Sequence, residues 1–99
     1  MNCIRTDLGS EARLEIDGAL DALTVPDIRP VIDALIADEV RQVTVDLNKV
    51  TLVDSSGVGA IVSLFKRLKA RGGNLTVVGA HDQPLAVLKL LRLDRVFGL

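Results

Sequence analysis

The sequence predicts an α/β fold, a mixed four- to five-stranded sheet with helices packed on it in the order β-β-α-β-α-β-α. Three observations carry this prediction. Short segments with alternating apolar residues, such as Val43, Val45 and Leu47 in "QVTVDLN", are interleaved with longer segments whose apolar residues recur at helical spacing. Gly and Pro stand at the boundaries between them, as in "RGGN" and "DQPL". A chain of 99 residues that is 48% hydrophobic is the size of one domain and can bury a core.

The elements follow in order. "NCIRTDL" and "RLEIDG" flank the turn-like "DLGSEA" and read as a β-hairpin. Between Thr24 and Glu39, residues Ile28, Val31, Ile32, Leu35 and Ile36 have helical spacing. Pro30 is excluded from deep inside a regular helix, so the expected start is near Asp27, with Asp27 as the cap and Pro30 in the first turn. "QVTVDLN" is a strand, and "KVTLVD" leads into a second helix from Ser55 to about Arg71. Its expected buried stripe is Val58, Ile61, Val62, Phe65 and Leu68; Lys66, Arg67, Lys69 and Arg71 form its solvated face, and Gly72 and Gly73 end it. "NLTVVG" is a further strand, "QPLAVLKLLRL" a third helix entered through Pro84, and "VFGL" the opening of another strand. The two strand–helix–strand units call for right-handed crossovers.

Composition narrows the function classes. Thirteen acidic residues against 12 basic ones leave a net charge of -1, with no electrostatic footprint for nucleic acid. Phe65 and Phe97 are the only aromatic residues, too few for base-stacking platforms. No apolar run reaches the roughly 20 residues of a membrane span, and "MNCIRTDLGS" lacks a secretory pattern, so a cytoplasmic protein without membrane insertion is expected. A single cysteine, Cys3, and a single histidine, His81, argue against a disulfide or a zinc site. Cys3 reads as a small half-buried hydrophobe and His81, in "AHDQP", as a turn residue.

The stretch "VDSSGVGAIV", Val53 to Val62, opens the second helix with two glycines, each costing a helix interior about 1 kcal/mol relative to Ala. It follows a strand that runs parallel to its neighbours, where α/β sheets place their ligands. Two readings stand side by side: Ser55 caps the helix while the glycines permit close packing, or Ser55 is an exposed phosphoacceptor beside small residues that admit another chain. A dinucleotide loop fails because Val62 occupies the third glycine position, and no Lys-Ser/Thr pair makes a P-loop. "DSSG" is not the Gly-x-Ser-x-Gly elbow of a hydrolase, and no second histidine or oxyanion-loop pattern supports Ser55 as a nucleophile. A second element, "GALDALT", places Asp21 just after the second strand, near Ser55 if that strand neighbours the one ending near Asp46. A helix-entry turn explains the same residues.

These residues resemble a family, the bacterial anti-sigma-factor antagonists, which are small members of the STAS domain group. "GALDALT" is similar to the family's Gly-Glu-Leu-Asp signature followed by Thr, and "VDSSGVG" to its Asp-Ser-Ser/Thr-Gly signature; "VTVDLNKVTLVD", "RGGNLTVVG" and "LLRLDRVF" match the segments around them. The resemblance covers nearly the whole chain, with Ala19 where the signature usually has Glu. It implies a single STAS domain over 1–99 lacking the family's final helix.

The same resemblance implies a non-enzymatic, phosphorylation-switched binding module without a cofactor of its own. Ser55 would be phosphorylated by a partner anti-sigma factor that is itself a serine kinase, the only point at which ATP enters, and a metal-dependent phosphatase would restore it. Unphosphorylated, the chain would hold the anti-sigma factor and free the sigma factor. Asp21 and Asp54 would lie beside the phosphoacceptor, and Ser56, Gly57, Val58 and Gly59 would complete the contact surface, with the two glycines keeping it low. The main rival is the non-switched STAS subunit of a phospholipid-trafficking ABC transporter, whose motif tends to begin with Thr where "DSSG" has Ser. A sulfate-transporter STAS domain fits less well without a membrane segment.

Overall fold

The computed structural model describes residues 2–99. Its order is β1 (Asn2–Leu8), β2 (Glu11–Leu20), α1 (Val25–Ala37), β3 (Gln42–Val53), α2 (Ser55–Lys69), β4 (Asn74–Val78), α3 (Asp82–Leu90) and α4 (Leu93–Val96). The strands form one four-stranded sheet in the order β1-β2-β3-β4. β1 and β2 are the expected hairpin, in unbroken register from Asn2↔Asp17 to Leu8↔Glu11, while β2, β3 and β4 are parallel.

Alternation sorts each strand between two faces. Ala12, Leu14 and Ile16 of β2, Val43, Val45 and Leu47 of β3, and Leu75 and Val77 of β4 are buried in one core with the helices. The opposite face carries Glu11, Arg13 and Glu15, Thr44 and Asp46, and Thr76, none of them buried. Parallel strands are usually covered on both faces. Here the uncovered face is polar at these positions, with Arg13 donating to Asp46 at 2.6 Å and the Thr44 and Thr76 hydroxyls 3.4 Å apart.

Several expected boundaries shift. α1 begins two residues before Asp27, which lies in the first turn instead of capping it, and Pro30 falls inside the helix. The start is set by the turn before it: the Asp21 carbonyl accepts the N–H groups of Thr24 and Val25, and Val25 is buried in the core. The buried face of α2 runs through Gly57, Val58, Ala60, Ile61, Leu64 and Leu68. Val62 and Phe65 flank it, half-buried. Phe65 turns instead to Phe97, edge to face at 5.5 Å.

Arg71 is not on a solvated face. Its guanidinium donates to the Ile36 carbonyl at 2.5 Å and to those of Leu35 and Val40, closing the carbonyl end of α1. Arg67, which is exposed, reaches Asp33 of α1 at 2.7 Å. "VFGL" is not a strand: Val96 ends α4, and Phe97 is fully buried with its carbonyl accepting the Val77 N–H at 2.8 Å. Arg92, at φ 58°, turns the chain between α3 and α4 so that Phe97 can return to the β4 edge.

Candidate functional site

β2 and β3 run side by side and end together, with Leu20 opposite Val53. Both candidate motifs follow from these two strand ends, so topology brings "GALDALT" and "VDSSGVG" to one edge of the core. The first motif builds a tight turn. The Asp21 carboxylate accepts the N–H groups of Leu23 at 3.0 Å and Thr24 at 3.2 Å, and the Thr24 hydroxyl donates to the Ala19 carbonyl at 2.9 Å. Gly18, at φ 98°, supplies the left-handed backbone where β2 breaks register with β3. At position 19 it is the backbone carbonyl that the turn uses, whatever the side chain.

Asp54 links the two motifs. One carboxylate oxygen caps α2 by accepting the Gly57 N–H at 3.0 Å, and the other accepts the Ala22 N–H at 3.2 Å. The Asp54 N–H in turn donates to the Leu20 carbonyl at 3.2 Å. The Gly57 N–H, with smaller help from those of Ala22 and Ser56, holds the Asp54 carboxyl below its ordinary value. Capping therefore belongs to Asp54 and not to Ser55. The Ser55 side chain stands exposed on the first turn of α2, and Ser56 is half-buried beside it. Asp21 is half-buried and turned to its own loop.

The two glycines differ. A Cβ on Gly57 would stand 2.2 Å from the Leu20 carbonyl oxygen, so this position is glycine because α2 presses against the end of β2. A Cβ on Gly59 would meet nothing within 4 Å. Gly59 is exposed and lowers the outer surface next to Ser55, whereas Gly57 and Val58 face inward.

Three contributors escaped the sequence reading. The Gln83 amide clasps the Val53 backbone, accepting its N–H and donating to its carbonyl, both at 2.8 Å, and so ties α3 to the strand end that carries Ser55. His81, read as a turn residue, lies between the Asp82 carboxylate and the Asn48 carbonyl at 2.7 Å each. Its pKa is raised above 6.5, first by the bond to Asp82. Leu23, 86% exposed, is an apolar tip on the turn that Asp54 fastens. The clasp of Gln83 on Val53 and the bond of His81 to Asn48 leave no local sequence signal because these partners are backbone groups 30 and 33 residues away.

Cys3 is half-buried against the core, with its thiol pKa raised by that burial. Among the described residues no group of three or more His, Cys, Asp or Glu is placed to hold a metal ion, and no helix is long and apolar enough to cross a membrane.

The family model described as "STAS domain" matches residues 8–99. An anti-sigma-B factor antagonist of Listeria monocytogenes is 31% identical over 84 residues, 85% of this chain and 68% of that protein. The crystal structure of an anti-sigma factor antagonist from Mycobacterium paratuberculosis superposes with a TM-score of 0.87 at 22% identity, over 97% of this chain and 81% of that one. The Bacillus cell fate determinant SpoIIAA in its phosphorylated form superposes with a TM-score of 0.80 at 21% identity, over 96% of this chain and 87% of that one. At these identities the solved structures establish the shared fold.

Proposed function

The chain belongs to the STAS domain family, and from that premise we propose that it is an anti-sigma-factor antagonist whose hold on its partner is switched at Ser55. The observation that carries this reading is the division of labour at the start of α2. Asp54 caps the helix, leaving the Ser55 hydroxyl exposed and chemically available. The similarity to an anti-sigma-B factor antagonist, and to a fold relative solved in a phosphorylated form, supports the same reading.

In this proposal the partner is an anti-sigma factor that is itself a serine kinase, and it docks over Ser55, Gly59 and the turn of Asp21 to Thr24. The unphosphorylated chain sequesters that partner and frees the sigma factor. Transfer of the γ-phosphoryl group of ATP to Ser55 Oγ, with loss of the hydroxyl proton and release of ADP, adds about −1.5 to −2 charges beside Asp54. At an interface fitted to a hydroxyl, that charge is repelled by Asp54 and must be desolvated; a penalty of roughly 3 kcal/mol already weakens binding about a hundredfold. A metal-dependent serine phosphatase returns the chain to its binding form. The chain itself is a binding module with no turnover of its own.

The test is phosphopeptide mapping after incubation with the cognate kinase and ATP, paired with calorimetry of the partner against both forms. The expected result is phosphate on Ser55 and loss of binding with it. Phosphate found mainly on Ser56 or Ser63, or equal binding by both forms, overturns the proposal.

A further inference from the structure

We propose that the free edge of β1 is a self-association surface, through which two copies of this chain pair antiparallel into one continuous eight-stranded sheet. The two edges of the sheet are treated differently. At β4 the returning C-terminal segment lies alongside, with the Phe97 carbonyl taking the Val77 N–H. Among the described residues β1 pairs with β2 alone, and its other side presents unpaired backbone groups. Exposed edges are normally blunted by Pro, by charged side chains, Lys above all, by a bulge or by a cover, and the two charges of this edge, Arg5 and Asp7, are of opposite sign. Residues 2–8 contain neither Pro nor Lys, and the β1–β2 register runs through them without a shift.

The side chains of this edge are complementary to themselves. By register, Ile4, Thr6 and Leu8 lie opposite Glu15, Arg13 and Glu11 and share the uncovered sheet face, while Arg5 and Asp7 lie opposite Leu14 and Ala12 on the helix face. Ile4 is 55% and Leu8 69% exposed. A two-fold axis perpendicular to the sheet keeps each side chain on its own face, so it must pass through a residue opposite its own copy. Centred on Thr6, the pairing sets Ile4 against the partner copy's Leu8, Arg5 against its Asp7 and Thr6 against its Thr6. Moving the centre to Arg5 or Asp7 puts like charges directly opposite each other, which is destabilising. Only the Thr6 register pairs both apolar residues and both charges.

The occupant is therefore a second copy and not an arbitrary strand. Arg5 already bonds Asp7 and Asp38 of its own chain, both at 2.9 Å, so the charged row stands in place before pairing. A seven-residue strand pair is smaller than the roughly 1,200–2,000 Å² of a stable interface. The dimer is accordingly weak and concentration-dependent. Ser55 follows β3, two strands in from this edge, so the association leaves each copy's Ser55 surface open.

Sedimentation equilibrium of the full chain over a wide concentration range, with two sets of variants, tests this. Wild type is expected to sediment as a monomer–dimer equilibrium. Ile4→Lys/Leu8→Lys, with both changes on exposed side chains, is expected to weaken that equilibrium at least about tenfold while keeping its circular dichroism and melting curve. The register is tested in a Cys3→Ser background, where Thr6→Cys places two cysteines opposite one another and Leu8→Cys does not. Facing Cα atoms about 4.5–5.5 Å apart suit a disulfide. Fast oxidation of the Thr6→Cys protein to a dimer, with Leu8→Cys slow, is expected. A wild type that stays monomeric at the highest concentration overturns the proposal, as does a folded lysine variant that dimerises like wild type. Equal cross-linking at positions 6 and 8 also overturns it.

Discussion

Asp54 and Ala22, 32 residues apart in sequence, meet where an Asp54 carboxylate oxygen accepts the Ala22 N–H at 3.2 Å. The same carboxylate caps α2 through Gly57, so one side chain fastens the turn after β2 to the helix that starts with Ser55. A change at either motif is felt by the other.

Removing this link should loosen both. Asp54→Ala is expected to lower the melting temperature by several degrees and to raise amide exchange at Ala22 and Gly57 together; Asp54→Asn should keep part of the cap. Because the folded-state pKa of Asp54 is depressed, first by the Gly57 N–H, its contribution is present above the ordinary value of 3.8 and is lost as pH falls through the lower folded value. Acid titration followed at the Ala22 and Gly57 amides checks this. Exchange that rises at only one of the two would show that Asp54 does not couple them.

Gly57 and Gly59 should separate packing from docking. Gly57→Ala forces a Cβ against the Leu20 carbonyl and is expected to cost about 1–3 kcal/mol of stability. Gly59→Ala meets open space and should stabilise the helix by up to about 1 kcal/mol. Gly59→Leu should fold as well as wild type yet bind the partner poorly, because bulk is added only to the outer surface. Denaturant melts alongside calorimetry with the anti-sigma partner distinguish the two effects.

A charge at Ser55 should change the surface without refolding the domain. Ser55→Asp adds a negative charge at the positive end of the α2 dipole, a gain of about 0.3–1 kcal/mol. Repulsion from Asp54 offsets much of it. The variant is therefore expected to melt within a few degrees of wild type and still lose the partner. Binding equal to wild type, or binding lost only through unfolding, would contradict the account of the switch.

His81 should act as a pH-dependent fastener between α3 and β3. Both of its bonding partners, the Asp82 carboxylate and the Asn48 carbonyl, are acceptors, so both bonds require the doubly protonated ring. With the folded pKa raised above the unfolded value of 6.5, this contribution is complete below that value and fades as pH rises through the folded one. Titration of the His81 ring protons by NMR should give a midpoint above 6.5, and His81→Gln should flatten the change in stability across that range.

What sequence alone determined was whatever depends on periodicity and short-range pattern. Alternation in "QVTVDLN", helical spacing in "SLFKRLK" and the Gly72–Gly73 stop are local effects of side-chain direction and backbone freedom, and they placed the start of β3, and α2 and β4, nearly where the structure has them, while β3 runs on through "KVTLV" to Val53. The two motifs were legible as short patterns, but the nearness of the turn after β2 to the start of α2 hung on β2 neighbouring β3, which the pairing of the strands decided. The tertiary structure decided how those residues divide their work. Ser and Asp both cap helices, so local pattern did not choose between Ser55 and Asp54; the choice came from the Ala22 N–H arriving at the end of the neighbouring strand. Gly57 and Gly59 look alike in sequence, and only the approach of the Leu20 carbonyl makes one a packing glycine and the other an exposed one. Arg71, Gln83 and Phe97 were unreadable because each finds its partner in backbone or core brought close by the fold: carbonyls at the end of α1, both polar groups of Val53, and the ring of Phe65. A backbone carbonyl has no residue identity to betray it, so contacts of this kind leave no trace in the order of the amino acids.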